Sequence, residues 1–300
     1  MTSNDVLISV VVPTYNYARV LPRALDSVLY QWADDLELIV INDGSRDNTL
    51  EVLADYAARY PQVRVVDQAN AGAAAARNKG IGLARGRYVL LLDADDELTT
   101  DAISTLREVL RANPGVGMVL GGQISVYDDG RERLRLPTPV PQASARELAR
   151  RYLLQKRISV SHCCTLFDRE LLLRRPYPEG LRTGEDIPVF AYLVVNARVV
   201  TTDVPLARIH KHADSLRHNR ENEEEYALGM AHEVFASLPE ECQGLRGRYK
   251  AQRYLSLFRA ALLSGDRLSA RRFYTQALRL SPLQAMRWTY LRKATRLMMV

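Results

Sequence analysis

The sequence predicts an α/β fold, a parallel β-sheet with helices on both faces. Three observations predict it. Short apolar runs alternate with amphipathic helical patterns through about the first 110 residues. Turn residues close each run. Asp43 and Asp93 fall at the carboxyl ends of two runs, where such sheets bind ligands.

Val6–Val12 is a β-branched run ended by Pro13, as in a buried parallel strand. Val20, Leu21, Leu25, Val28 and Leu29 follow at helical spacing. Leu36–Ile41 is a second strand, closed by Asn42-Asp43-Gly44-Ser45. Asp47 can cap a helix whose face is Leu50, Leu53, Ala54 and Ala57. Val63–Val66 is a third strand, Ala71–Ala84 an Ala-rich helix and Tyr88–Leu92 a fourth strand. That strand ends in Asp93-Ala94-Asp95-Asp96-Glu97.

Beyond it, Val116–Val126 and Arg131–Leu136 form a hairpin around Asp128-Asp129-Gly130. A helix near Ser144–Gln155, a strand at Val160–Phe167, a loop at Arg174–Gly184, a helix at Glu185–Asn196 and a short strand at Arg198–Thr202 come next. From about Asn219 the pattern is wholly helical, with a hairpin of Arg246–Leu263 and Arg267–Leu280 around Ser264-Gly265-Asp266.

Composition sets the class. An apolar share of 47% and a charged share of 25% in 300 residues exclude wholesale disorder and a multi-span membrane protein. Three cysteines, two of them adjacent, make no disulfide framework, and no signal-peptide pattern opens the chain, so a reducing cytoplasm is expected. The net charge of +6 hides an asymmetry. Cys242–Val300 holds 13 Lys and Arg against Asp266 alone, leaving 28 basic and 34 acidic residues in the preceding body. Basic tails of this kind meet anionic surfaces.

The acid cluster is the most informative feature. Carboxylates held close repel by ~1 kcal/mol per pair in water and several-fold more near a protein surface. A divalent cation relieves that repulsion, and oxygen ligands suit Mg²⁺ or Mn²⁺. A solvated loop with a helix cap is the plainer reading. In Asn70–Gly80, small residues allow close approach, and Arg77, Asn78 and Lys79 offer donors to a phosphate or to the acidic loop. Asp43 reads alone as a turn residue, and in a nucleotide-binding sheet as an acceptor for a base N–H. Glu185-Asp186 suits a helix N-terminus on dipole grounds, or supplies a general base. His210 and His212 alternate as in a strand and match no zinc motif.

Together these segments resemble the family 2 glycosyltransferases. Ile8–Tyr17, Leu38–Thr49, Ala71–Gly80, Leu91–Asp96 and Gly184-Glu185-Asp186 match the family's motifs in order, from about Ile8 to Ser215. The resemblance implies a GT-A fold: a Rossmann-like nucleotide-binding mixed sheet flanked by helices, here with an all-helical C-terminal extension. It also implies a metal-dependent nucleotide-sugar donor and inversion at the anomeric carbon. Carried over, Pro13, Tyr15, Asp43, Arg77 and Asp93 bind the donor, Asp95 and His210 hold Mn²⁺ or Mg²⁺, and Asp186 is the base with Glu185 beside it. Ala207-Arg208-Ile209 departs from the commoner Tyr-Arg before that His. The expected domains are 1–218, with a nucleotide-sugar half of about 1–115 and an acceptor half of about 116–218, and a basic helical extension, 219–300.

A dinucleotide oxidoreductase is disfavoured because Pro13-Thr14-Tyr15-Asn16, not Gly-x-Gly-x-x-Gly, follows the first strand. The alternatives are a haloacid-dehalogenase-like phosphohydrolase and a non-catalytic sugar-nucleotide-binding module. The first normally carries its Asp-x-Asp after the first strand, not the fourth. A carboxylate at Asp43 suits an imide N–H, hence a UDP- or dTDP-sugar. In Leu283–Val300 an apolar face of Leu283, Met286, Tyr290, Ala294, Leu297 and Met298 opposes Arg287, Arg292, Lys293 and Arg296. Such a helix lies on an anionic membrane or packs on protein. The expectation is peripheral attachment to the cytoplasmic face of the inner membrane, with a lipid-linked or lipopolysaccharide-type glycan acceptor and no nucleic acid partner.

Overall fold

The computed structural model describes residues 6–181, 183–211 and 223–298. The chain divides into two compact units, each of three stretches. One is Met1–Gln142, Ile158–Glu179 and Asn196–Leu216; the other is Ala143–Arg157, Gly180–Val195 and Arg217–Val300. The boundary expected near residue 218, the onset of helix at Asn219 and His212 lie outside the described residues. Two earlier stretches of the expected acceptor half group with the C-terminal helices.

The first unit is built on one mixed sheet. Its strands are β1 (Ile8–Thr14), β2 (Leu36–Asn42), β3 (Val63–Asp67), β4 (Tyr88–Leu91), β5 (Glu97–Leu98), β6 (Met118–Tyr127), β7 (Glu132–Arg135), β8 (Thr165–Asp168) and β9 (Val199–Lys211). The order is β3-β2-β1-β4-β8-β6-β9-β5, with β7 on β6. The first four strands are parallel, as their β-branched runs predict, and β8 joins β4 antiparallel. Helices α1 (Leu21–Leu29), α2 (Thr49–Arg59), α3 (Ala73–Leu83) and α4 (Ala102–Ala112) alternate with the strands. Leu21, Leu25 and Val28 of α1, Leu53 of α2 and Leu106 of α4 pack with Val10, Val12 and Val40 in one core. Burying each such side chain stabilises by about 1.5–3 kcal/mol. On the opposite face α3 lies close because Gly80 has no side chain: a Cβ there would stand 2.2 Å from Val11 Cγ1.

Two of the expected strands have other bounds. The segment expected as a strand from Val160 is a 3₁₀ turn at His162–Cys164 before β8. The turn forms because Cys164 N–H bonds back to Ser161 O at 3.3 Å, which turns His162 and Cys163 into the interior. The strand expected to end at Thr202 continues to Lys211. Asp203-Val204-Pro205 reads as a break, yet the β6–β9 register shifts around Leu120–Gln123, and that irregularity accommodates the proline.

Glu37 shows how the parallel strands are tied. Its buried carboxylate, 4% exposed, accepts from Ser9 Oγ (2.7 Å), Arg85 N (2.9 Å) and Arg85 Nε (2.8 Å). Burial pushes its pKa up, but the Arg85 N–H, the Ser9 hydroxyl and the Arg85 guanidinium outweigh it and hold the acid below its usual range. A depressed carboxyl contributes stability above its unfolded pKa and loses it as pH falls through the folded value. Glu37→Gln is therefore expected to unfold about 2–3 kcal/mol more easily at neutral pH, with the deficit shrinking in acid. Urea titrations at several pH values measure this.

The second unit is helical. It contains α5 (Ala145–Ala149), which continues as a π turn over Arg150–Leu154, and most of α7 (Asp186–Asn196). The short α6 (Arg169–Arg174) belongs to the first unit. Then come α8 (Glu223–Ala236), α9 (Glu240–Gln243), α10 (Arg246–Leu263), α11 (Arg267–Leu280), α12 (Pro282–Ala285) and α13 (Trp288–Met298). Ser144 caps α5 by accepting from Glu147 N. The α10–α11 hairpin turns where expected, and Asp266 accepts from Ser269 N at 3.0 Å. The single C-terminal helical face does not form. The chain breaks at Met286-Arg287, so Tyr290, Ala294 and Leu297 pack on α10 and α11 while Leu283 and Met286 stay exposed. The side chain of Met298 lies outside the described residues. Among the described residues no helix is long and apolar enough to cross a membrane.

Candidate active site

In the first unit, parallel pairing sets the site. Thr14 of β1 stands beside Asn42 of β2, and Val11 beside Leu91 of β4. The loops carrying Tyr15, Asp43 and Asp93 therefore leave the same sheet edge. Asn16, at φ 58°, and the loop after β2 hold one another: Asn16 N donates to Ser45 Oγ (2.9 Å), Arg46 N to Asn16 Oδ1 (2.7 Å) and Ala18 N to Asp47 Oδ2 (3.1 Å). Asp47 Oδ1 also accepts from Thr49 N, so it supports the start of α2 from one position before the N-cap, which is Asn48 and not Asp47 as expected. Pro13 is half-buried, and Tyr15 and Tyr17 are exposed beside these loops.

Asp43 is 3% exposed, and its carboxylate is already employed. Oδ1 accepts from Ala71 N (2.8 Å) and Gln68 Nε2 (2.7 Å), and Oδ2 from Gly72 N (2.8 Å). It thus fastens the loop that opens α3, and a base N–H would share Oδ2 with Gly72. Asp43→Ala is expected to cost about 2–4 kcal/mol and to speed amide exchange at Ala71 and Gly72, checked by denaturation and hydrogen exchange.

The acid cluster lies beyond β4. Arg77, buried on α3, donates from Nη2 to Asp93 Oδ1 at 3.1 Å, and its guanidinium sits 5.8 Å from the centre of the Tyr177 ring. Burial works against the Asp93 anion, but the Arg77 charge outweighs it and holds the carboxyl below its usual range. Asp96 behaves oppositely: burial, then the Asp93 and Asp95 charges, push it up to about 7. The same three acids, after burial, help push the Tyr17 phenol up to about 12. Asp95 is half-buried and its carbonyl receives the Arg23 guanidinium. His210 N donates to Asp96 Oδ1 at 2.9 Å, while its ring Nε2 meets Glu97 Oε1 at 3.0 Å.

Sequence reasoning missed Cys163. Its Sγ accepts from Asp93 N (3.3 Å) and donates to Asp96 Oδ2 (3.3 Å). Asp93, Asp96 and Cys163 each offer a ligand atom within 4.8 Å of the others. Behind them His162 Nε2 lies 3.0 Å from Tyr177 Oη, and burial and the Arg77 charge push its pKa down to about 3. The residue types carried no signal, because a strand over Val160–Phe167 would alternate its side chains and the 3₁₀ turn does not. Carboxylate and thiol ligand atoms gathered this closely fit a divalent cation, and the carboxylate oxygens suit Mg²⁺ or Mn²⁺.

Glu185 and Asp186 belong to the second unit, at the start of α7. Gly184 precedes them at φ 72°, a left-handed backbone that favours glycine at the entry to the helix. Ile187 N bonds back to Gly184 O at 3.1 Å. The Asp186 charge reaches Tyr249, whose phenol burial pushes up, with Asp186 adding to the shift.

The sequence model described as Glycosyl transferase family 2 matches residues 9–174, more than half of the chain. The chain belongs to this family. Among curated relatives it is 46% identical over 99 residues to the uncharacterized glycosyltransferase YibD of Escherichia coli, a stretch covering 33% of this chain and 29% of that protein. It is 42% identical over 106 residues to the chondroitin synthase of Pasteurella multocida, covering 35% and 11%. The match spans under a third of either relative's length. Among solved structures, Staphylococcus aureus TarS 1-349 in complex with UDP-GlcNAc superposes with a TM-score of 0.67 at 20% identity, over 93% of this chain and 82% of that one. The mannosyltransferase PcManGT of Pyrobaculum calidifontis, in complex with GDP-Man and Mn²⁺, gives 0.54 at 19%, over 97% and 83%. These likenesses establish the GT-A fold for the family 2 chain.

Proposed function

We propose that this family 2 glycosyltransferase is an inverting, metal-dependent hexosyltransferase. It moves a sugar from a UDP- or dTDP-sugar to a hydroxyl of a glycan or lipid-linked acceptor, in synthesis of cell-surface polysaccharide or lipopolysaccharide. The observation that carries the reading is the Asp93–Asp96 cluster at the carboxyl edge of a parallel sheet, with Arg77 bonded to Asp93. Carboxylates at a diphosphate site make physical sense only with a cation among them. The donor named for TarS, the Mn²⁺ named for PcManGT and the polysaccharide-synthase relative support it.

Asp95 and His210, with Asp93 and Asp96 close by, would hold Mn²⁺ or Mg²⁺, which when bound stabilises charge on the leaving diphosphate. Tyr15 and Pro13 border the base, and Asp43 shapes the loop against it and accepts its imide N–H on Oδ2. Arg77 fixes Asp93. In a single displacement the acceptor oxygen bonds to the anomeric carbon as the bond to the diphosphate oxygen breaks. The acceptor proton passes to Asp186, with Glu185 beside it orienting the hydroxyl. The basic C-terminal helices bring the chain to the cytoplasmic leaflet, where lipid-linked acceptors present their hydroxyls.

A panel of nucleotide sugars with Mn²⁺, Mg²⁺ or chelator, scored for nucleotide release, tests this. Release from a UDP- or dTDP-sugar only with metal is expected. Calorimetry showing no sugar nucleotide bound with either metal overturns it.

A further inference from the structure

After α11 the chain turns into the single helical turn α12. This turn is fixed from beneath: Ala285 is fully buried, Tyr274 Oη donates to Ala285 O at 3.2 Å, and Ser281 N donates to Ala277 O at 2.9 Å. Its outer side carries large apolar residues in water. Leu283 is 83% exposed, Met286 57% and Trp288, at the start of α13, 73%. A firmly held turn that shows three such side chains within six positions is a protruding apolar knob. Arg279 on α11, Arg287 between α12 and α13, and Arg292 and Lys293 on α13 are exposed. From Arg267 onward the sequence contains eight Lys and Arg and no acid.

We propose that this knob enters the headgroup region of an anionic lipid bilayer, with the flanking cations on lipid phosphates. Leu283, Met286 and Trp288 need an apolar phase, which a nucleic acid does not offer. A second copy would bring the same cations face to face, because a two-fold interface pairs a surface with itself. A bilayer supplies both the apolar phase and the anions, and Trp suits the interface between them. The insertion therefore runs through a short turn, with Tyr290, Ala294 and Leu297 of the expected amphipathic face used up in the core. The proposal rests on the membrane-facing part of the function above and not on its chemistry.

Flotation of the full chain with phosphatidylcholine vesicles, with and without phosphatidylglycerol, tests it. Binding is expected only with phosphatidylglycerol. Leu283→Ser/Met286→Ser is expected to weaken binding at least tenfold, and Arg287→Ala about fivefold. Quenching of tryptophan emission by brominated acyl chains is expected in the parent and absent in Trp288→Phe. These positions are exposed, so unchanged thermal unfolding confirms that the variants fold. Equal binding to both vesicles, or binding without quenching at Trp288, overturns the proposal. So does a dimer in solution that Leu283→Ser/Met286→Ser dissociates. Vesicle binding needs no donor, so donor calorimetry on the same samples separates failure of this surface from failure of the glycosyltransferase reading.

Discussion

Asp186→Asn is expected to abolish sugar transfer while leaving donor binding intact. Asparagine keeps the size and hydrogen-bonding shape of the side chain at the start of α7, so the helix entry through Gly184 is undisturbed. What is lost is the capacity to take a proton. General-base removal lowers turnover by about 10²–10⁴, or about 3–5 kcal/mol of barrier. The helix N-terminus favours the anion at Asp186. The nearby Tyr249 phenol, raised by burial and by that charge, stays protonated and does not compete for the role. Steady-state transfer and calorimetric donor titration measured on one preparation check the prediction. Turnover within about threefold of the parent would reject Asp186 as the base, and lost donor binding would show a structural role instead. Glu185→Gln, which removes a carboxylate one position earlier, is expected to lower turnover less.

The sequence announces the site more clearly than the frame around it. Ile8–Val12, Leu36–Ile41 and Tyr88–Leu92 are buried on both faces, so their runs are apolar except for Ser9 and Glu37, which bond one another, and their ends, Pro13, Asp43 and Asp93, are sharp. Parallel pairing then delivers those ends to one edge without further information. What fails to show is whatever depends on a partner distant in sequence. Pro205 reads as a stop because nothing local announces the shifted register against β6. Cys163 reads as a strand residue because its partners, Asp93 and Asp96, lie some 70 positions earlier. The C-terminal face splits at Met286-Arg287: of its described side chains, Tyr290, Ala294 and Leu297 are covered by α10 and α11, and Leu283 and Met286 are not. Helical periodicity counts apolar positions and cannot tell which of them the rest of the fold will cover.

Asp95→Ala separates cation binding from folding. Asp95 is half-buried, and its backbone carbonyl, which alanine retains, receives the Arg23 guanidinium. The variant is expected to unfold within about 1 kcal/mol of the parent. Its donor affinity should be the same with Mn²⁺ as with chelator, and kcat/KM should fall by about 10²–10³, the scale on which charge stabilisation at a leaving group acts. Asp93→Ala makes the contrast. Arg77 is buried and donates to Asp93 at 3.1 Å, so removing that carboxylate weakens the compensation of a buried cation. It should lower stability by about 3 kcal/mol as well as activity. Denaturation curves and donor titrations with and without Mn²⁺ on both variants distinguish the roles. If Asp95→Ala retains a metal-dependent gain in donor affinity while Asp93→Ala loses it, the cation is held by the Asp93, Asp96 and Cys163 cluster, and Asp95 is a bystander to it.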